Sequence, residues 1–276
     1  MNVLDLFSGI GGFSLGLERA GMRTVAFCEV EPYCRAVLAK RWPGVPIHGD
    51  IRELILPRGF ASVICGGFPC QDISVGNQHN GGAKGLAGAR SGLWSEYCRI
   101  IDAVQPAWVV IENVVALRSR GLDQVLGELA AIGYDAEWYC IPAAAIGALH
   151  RRDRIWIVAY PQREQLREQS GRRHGPRGSG AALAALDGEA WHVAHTDEPR
   201  LERWLRRELQ ECARELSAGP RSARGIAGTW LTESDIRRVA DGIPCRVDRL
   251  RALGNAVVPQ IPEIIGRAIL AWEQQQ

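Results

Sequence analysis

Cys70 closes the run VICGGFPC, where two glycines and a proline set a stiff turn just past an apolar stretch. A thiol in that place is either a small buried hydrophobe or, with its pKa lowered by nearby positive charge, an exposed nucleophile. Glu112 ends the apolar part of WVVIENV, where a carboxyl kept protonated by burial can serve as an acid. In HRRDRIWIVA, Arg152 and Arg154 are two residues apart, so on one strand both guanidinium groups would enter one cleft. A second group of residues points to a ligand. Gly9, Gly11 and Gly12 of DLFSGIGG make a tight turn into a helix start, where backbone can approach a ligand closely. Glu29 follows TVAFC and can accept both hydroxyls of a ribose, and Asp50 in HGDI is suited to an adenine amino group. Together they fit an adenosine-containing cofactor. The turn is neither G-x-G-x-x-G nor a P-loop with its Lys and Ser/Thr, so S-adenosylmethionine suits it better than a dinucleotide.

These residues need elements to hold them. Up to about Tyr160, short β-branched and aromatic runs (VLDLF, TVAFC, SVIC, WVVIE, AEWYC, RIWIVAY) alternate with amphipathic stretches at 12–20, 32–41, 93–104 and 121–132. That alternation predicts an open, mostly parallel α/β sheet with helices on both faces, and ligands beyond the carboxyl ends of its strands. The glycine turn, Glu29 and Cys70 follow strand candidates, Glu112 closes one, and Asp50 in HGDI is read as a further strand end. From 161 the chain turns polar, arginine-rich and punctuated by Gly and Pro, then reads as helix over 199–216. GNAVVPQIPEIIGRAILAW predicts a turn leading into a C-terminal helix. The expected organisation is a discontinuous domain, 1–160 plus 246–276, with an insert at 161–245.

Composition narrows the class further. The chain has 276 residues, 46% apolar and 23% charged, with a formal net charge of +2. Charge alone therefore does not mark a nucleic-acid protein. Lys40 and Lys84 are the only lysines, and the arginines that replace them suit phosphates and guanine edges. None of the eight cysteines forms a CxxC pair, which argues against a zinc ribbon and predicts free thiols and no metal. No long apolar run and no basic-then-apolar start occur, so the expectation is a cytoplasmic protein that does not bind membranes.

In chain order, DLFSGIGG, CEVE, GDI, GGFPCQ, ENV, HRRDR and LGNAV closely resemble the motifs of the DNA (cytosine-5)-methyltransferase family. The resemblance covers residues 3–160 and resumes at 246–269. It implies a Rossmann-like S-adenosylmethionine-dependent methyltransferase fold with a small inserted target recognition domain. By their positions, Cys70 matches the nucleophile, Glu112 the residue engaging N3 of the base, and Arg154 a partner of both base and glutamate. Phe7, Ser8, Gly9, Ile10 and Gly12 match the adenine and methionine contacts, with Glu29 on the ribose and Val30, Asp50 and Ile51 around the adenine. Pro69, Leu93 and Asn255 are similar to the remaining borders of the cofactor pocket, and Ser74, Arg90 and Arg152 to positions that touch DNA. Val30 stands where many members have an aromatic residue, and His150 where many have Gln. The glycine-rich segment 72–92 is then expected to close as a lid over a flipped cytosine. Arg172, Arg173, Arg177 and the segment 230–243 would serve sequence readout. The implied partner is double-stranded DNA, bound by a monomer from a restriction–modification system with a cognate endonuclease, a phage, or a solitary modification gene. A tRNA cytosine methyltransferase and a catalytically dead DNA-binding module are the rivals.

Overall fold

A computed structural model describes residues 1–69, 93–148, 150–162, 201–218 and 246–275. Seven strands form one sheet: β1 (Asn2–Leu6), β2 (Arg23–Cys28), β3 (Ile47–His48), β4 (Val63–Gly66), β5 (Trp108–Val114), β6 (Tyr134–Pro142) and β7 (Asp153–Pro161). Their order across the sheet is β3-β2-β1-β4-β5-β7-β6. The first five pair in parallel, whereas β7 runs antiparallel to both β5 and β6. The mostly parallel α/β sheet read from the sequence is therefore present. β3 is a two-residue strand that was not among the strand candidates; so short an element has no pattern of its own.

The helices are α1 (Gly12–Arg19), α2 (Pro32–Arg41), α3 (Leu93–Val104), α4 (Leu117–Arg120), α5 (Leu122–Ala131), α6 (Leu201–Ala218), α7 (Arg246–Asn255) and α8 (Gln260–Glu273). Strand side chains alternate between two apolar clusters, as a period of two requires. Leu4, Leu6, Ile64, Val109 and Ile111 pack with Trp94, Tyr97 and Ile101 of α3 and Val125 of α5 on one face. Val3, Val63, Val110 and Val158 pack with Phe13 and Leu17 of α1 and Ile261, Ile265 and Ile269 of α8 on the other. Leu201 and Leu205 of α6 join this second cluster beside Ile146. The turn expected at GNAV begins later than its glycine suggests: Gly254 and Asn255 complete α7, and the chain leaves the helix at Ala256. Among the described residues no helix is long and apolar enough to cross a membrane.

The chain builds outward from β1 to β3 and then crosses back to β4, so the order reverses between β1 and β4. Open α/β sheets leave a crevice at such a point. The glycine turn after β1 and the segment 67–69 after β4 flank it. Asp5 lies beneath, fully buried at the penultimate position of β1, and accepts the Ser14 N–H (3.2 Å) and Oγ–H (2.7 Å) at Oδ2. Burial pushes its carboxyl up to about 7. The unfolded chain ionises Asp5 near pH 4, so the folded state binds the extra proton between those values and loses stability as pH rises from about 4 to about 7, by up to about 1.4 kcal/mol per pH unit. Asp5→Asn should remove this slope. Thermal unfolding at pH 5 and pH 8 should show the variant gaining on the wild type at the higher pH; a constant difference would disprove the buried acid.

Candidate active site

Glu112, near the end of β5, and Arg154, near the start of β7, meet across the antiparallel pair. Arg154 Nε donates to Glu112 Oε1 at 2.8 Å, and both side chains are largely buried. In the register Glu112 faces Trp156 and Val114 faces Arg154, so the two ions are diagonal neighbours on one face of the sheet. Arg154 also donates from Nη1 to its neighbour's carbonyl, Asp153 O, at 2.8 Å. Burial raises the Glu112 carboxyl above the ordinary carboxylate range, and the charges of Arg154 and Arg152 oppose that rise. The result is a desolvated carboxyl held beside a fixed cation. The second oxygen, Oε2, lies over Gly67, where a Cβ would come within 2.8 Å of it. The GGFPC turn thus leads straight from this carboxyl to Pro69, half buried and the last described residue before Cys70.

Asn113, the next residue of β5, holds that turn from below. It is 2% exposed; its Nδ2 donates to Phe68 O (3.2 Å) and its Oδ1 accepts the Val114 N–H (2.8 Å). The sequence reading quoted ENV but gave Asn113 no task. A polar residue inside an apolar strand was the available signal.

The nucleotide side forms at the ends of β1, β2 and β3. Glu29 is 8% exposed; Oε2 accepts the Gly9 N–H (2.7 Å) and Oε1 the Glu31 N–H (2.8 Å). Each oxygen keeps a second lone pair, so an aligned carboxylate remains for a diol. Gly9 has φ +54° and nothing within 4 Å of the position a Cβ would take. That open cradle beside a fixed carboxylate fits an adenosine moiety. The other two glycines do different work from that expected: a Cβ on Gly11 would strike the Trp42 ring at 2.5 Å, and one on Gly12 the Val257 carbonyl at 2.6 Å. At both positions protein fills the space a side chain would take. Ser8 is buried and its Oγ–H donates to Asp5 O (2.6 Å), while the Phe7 ring stacks on Tyr97 with centroids 6.1 Å apart. Ile10 is half buried.

Asp50 caps the short 3-10 turn Ile51–Glu53 and is gripped by Arg52, whose Nε donates to both oxygens (2.9 and 3.0 Å) and whose Nη2 donates to Oδ2. Those bonds hold the carboxyl down at about 2. Arg99 of α3 steadies the same turn by donating to Ile51 O (2.9 Å) and Leu54 O (3.1 Å). Arg99 did not stand out in the sequence, because its partners lie 45 and 48 residues away and are supplied only by the folded chain. Ile51 is buried, Leu93 is half buried at the start of α3, and Val30 is 65% exposed. Asn255 is exposed at the end of α7.

One expectation needs correcting. Arg152 and Arg154 do not share a strand face, because β7 begins at Asp153 and Arg152 has φ +36°. The Arg152 guanidinium turns to the end of α7, donating to Gly254 O (2.8 Å) and Ala256 O (2.7 Å). Cys70, Ser74, Arg90, the segment 72–92, Arg172, Arg173, Arg177 and 230–243 lie outside the described residues.

The chain is similar to known proteins. The Type II methyltransferase M2.BsuMI of Bacillus subtilis (strain 168) is 39% identical over 168 residues, 58% of this chain and 42% of that protein. The Type II methyltransferase M.Sau3AI of Staphylococcus aureus is 33% identical over 181 residues, 59% of this chain and 44% of that one. The chain thus matches less than half the length of these relatives. A crystal structure of a DNA modification methyltransferase encoded within an E. coli prophage shares the fold, with a TM-score of 0.58 at 18% identity over 99% of both chains. The sheet is accordingly the Rossmann-like methyltransferase fold expected from the sequence. The model of the C-5 cytosine-specific DNA methylases matches residues 1–207, and the chain belongs to that family.

Proposed function

We propose that this chain is a DNA (cytosine-5)-methyltransferase acting on a flipped cytosine in a specific duplex sequence. The observation that carries the proposal is the largely buried Glu112–Arg154 pair set against Gly67, at the same sheet edge as the Gly9–Glu29 cradle. A largely buried carboxyl suited to engage a base and a carboxylate suited to a ribose flank one crevice. Glu29, the Gly9 turn with Phe7, Ser8 and Ile10, the Asp50–Ile51 turn, Val30, Leu93, Pro69 and Asn255 would hold S-adenosylmethionine, with Gly12 seating the wall behind it. When bound, that group supplies an electrophilic methyl.

The chain's own residues then prepare the cytosine. C5 of cytosine is a weak nucleophile. Addition of the Cys70 thiolate to C6 breaks the ring's conjugation and gives C5 enamine character. Glu112 donates to N3 as negative charge builds on the ring, and Arg154 holds the carboxyl and O2 in register, as preorganised donors do. C5 would then form its bond to the methyl as the donor's S–CH3 bond breaks and the neutral thioether departs. Loss of the C5 proton to a base, with N3 returning its proton to Glu112, lets the C6–S bond break and restores the thiolate. Cys70 enters by its motif, GGFPCQ, directly after Pro69; Ser74 and Arg90 enter likewise as DNA contacts. Catalytic residues 1–160 and 246–276 would be served by 161–245 as a target recognition domain. Duplex DNA, a monomeric state, a cognate endonuclease and a cytoplasmic location complete the proposal.

Expression in a methylation-free host followed by bisulfite sequencing should reveal 5-methylcytosine within one recurring sequence. Duplex DNA carrying 5-fluorocytosine at that site should then trap the protein covalently, with the adduct on the peptide containing Cys70. Transfer to tRNA but not DNA would replace the proposal with the RNA reading. DNA and cofactor binding without trapping would replace it with a dead binding module.

A further inference from the structure

Arg152 precedes a strand in a motif whose arginines are expected to touch DNA, yet its surroundings give it another task. Its φ of +36° is rare for a residue with a side chain. Such strain persists where neighbours hold it. Here the Arg151 carbonyl accepts the Ala143 N–H at 2.8 Å, pinning the turn just before it. The strained backbone sends the guanidinium away from the sheet face of Arg154 and onto the end of α7.

Two carbonyls receive it, Gly254 O on Nη1 and Ala256 O on Nη2. The last carbonyls of a helix lack intrahelical donors and carry partial negative charge, so a bidentate cation suits them. Each terminal nitrogen gives one of its two hydrogens to these carbonyls, which fixes the plane of the guanidinium against the turn. The turn they hold is fixed from the other side as well. Val257 O sits so close to Gly12 that a Cβ there would be 2.6 Å away, and Pro259 O is 2.2 Å from a Cβ on Gly16. The turn is thereby clamped between the start of α1 and Arg152, with no slack toward the glycine loop. The charge of Arg152 also reaches Glu112.

We infer that Arg152 is a positioning residue that clasps the Gly254–Ala256 turn over the start of α1, and so sets a wall of the methyl-donor pocket, and that it is not a phosphate ligand. The inference rests on the methyltransferase reading for the identity of the pocket's occupant, while the clasp itself stands on the contacts above.

The test uses the full chain with Arg152→Ala and Arg152→Lys. Hydrogen exchange should quicken at the amides of 253–258 in the alanine variant. S-adenosylmethionine binding should weaken about ten- to thirty-fold, as expected for two lost hydrogen bonds. Affinity for duplex DNA, and the slope of log affinity against log salt, should stay as in the wild type. Lysine keeps the charge but cannot span two carbonyls, so it should leave the DNA salt slope at the wild-type value and recover less than half of the lost cofactor affinity. The inference is overturned if exchange and cofactor affinity are unchanged while the salt slope falls by about 1, the mark of a lost phosphate contact. A wild-type chain that binds neither S-adenosylmethionine nor DNA would refute the functional reading alone, since the exchange comparison still decides the clasp.

Discussion

Glu112→Gln should lower methyl transfer to DNA by about 10²- to 10⁴-fold, the range a positioned acid contributes, while S-adenosylmethionine binding changes little. Gln keeps the length and can still accept from Arg154 Nε, but it cannot give up a proton. The geometry makes this a clean test, because the carboxyl is oriented by Arg154 Nε at 2.8 Å and lies over the bare backbone of Gly67. The variant loses some stability too, since Arg154 is left largely buried without a counter-charge; a drop of about 1–3 kcal/mol in thermal unfolding is expected. Single-turnover rates at saturating DNA and cofactor separate chemistry from binding. A rate within tenfold of the wild type would end the assignment of Glu112 as the acid.

Gly66→Ala should yield little or no folded protein. A Cβ at this position would lie 2.1 Å from Leu6 O and 3.2 Å from the Tyr97 ring. The obstacle is a backbone carbonyl in the paired strands β1 and β4 at the middle of the sheet, register Leu6↔Gly66, so nothing flexible can yield. Relief requires parting the two central strands, at an expected cost above about 4 kcal/mol. Gly127→Ala is the matched control. It sits in α5 with open space around the new methyl, and better helix propensity should stabilise the protein by up to about 1 kcal/mol. Soluble yield and melting temperature report both. A Gly66→Ala protein that melts within a few degrees of wild type would show the strand pair to be far more compliant than a packed sheet.

Local pattern made much of the fold readable in advance. The listed strand runs and the stretches at 32–41 and 93–104 have periodicity and end signals of their own, and α2 and α3 begin and end where expected. The carboxylates and Arg154 could be named because motif order matched a family. What escaped reading was decided by contacts across the sequence. Asn113 reaches 45 residues back to Phe68, Arg99 a similar distance to Ile51, and Arg152 more than a hundred forward to Gly254. Neither spacing nor composition encodes such partners. The glycines mark the difference well: all three of Gly9, Gly11 and Gly12 looked like ligand-facing residues, and only Gly9 opens onto free space.

The reversed direction of β7 has a consequence for how such an enzyme could change its target. A strand running against its neighbours delivers its first residues, Arg154 among them, to the edge where β5 ends at Glu112 and Val114. It then carries the chain away. Pro161 leaves the sheet opposite Tyr134, and the Gln162 N–H is tied to Gly133 O at 2.8 Å on the far margin. Whatever follows residue 162 is therefore attached at the trailing end, the full length of a nine-residue strand from the catalytic register. Lengthening or exchanging that attachment pulls on Pro161 and not on the pairing of 112–114 with 154–156. On the proposed reading, an exchange of the segment that follows 162 would load this trailing end of β7, well away from the Glu112–Arg154 pair.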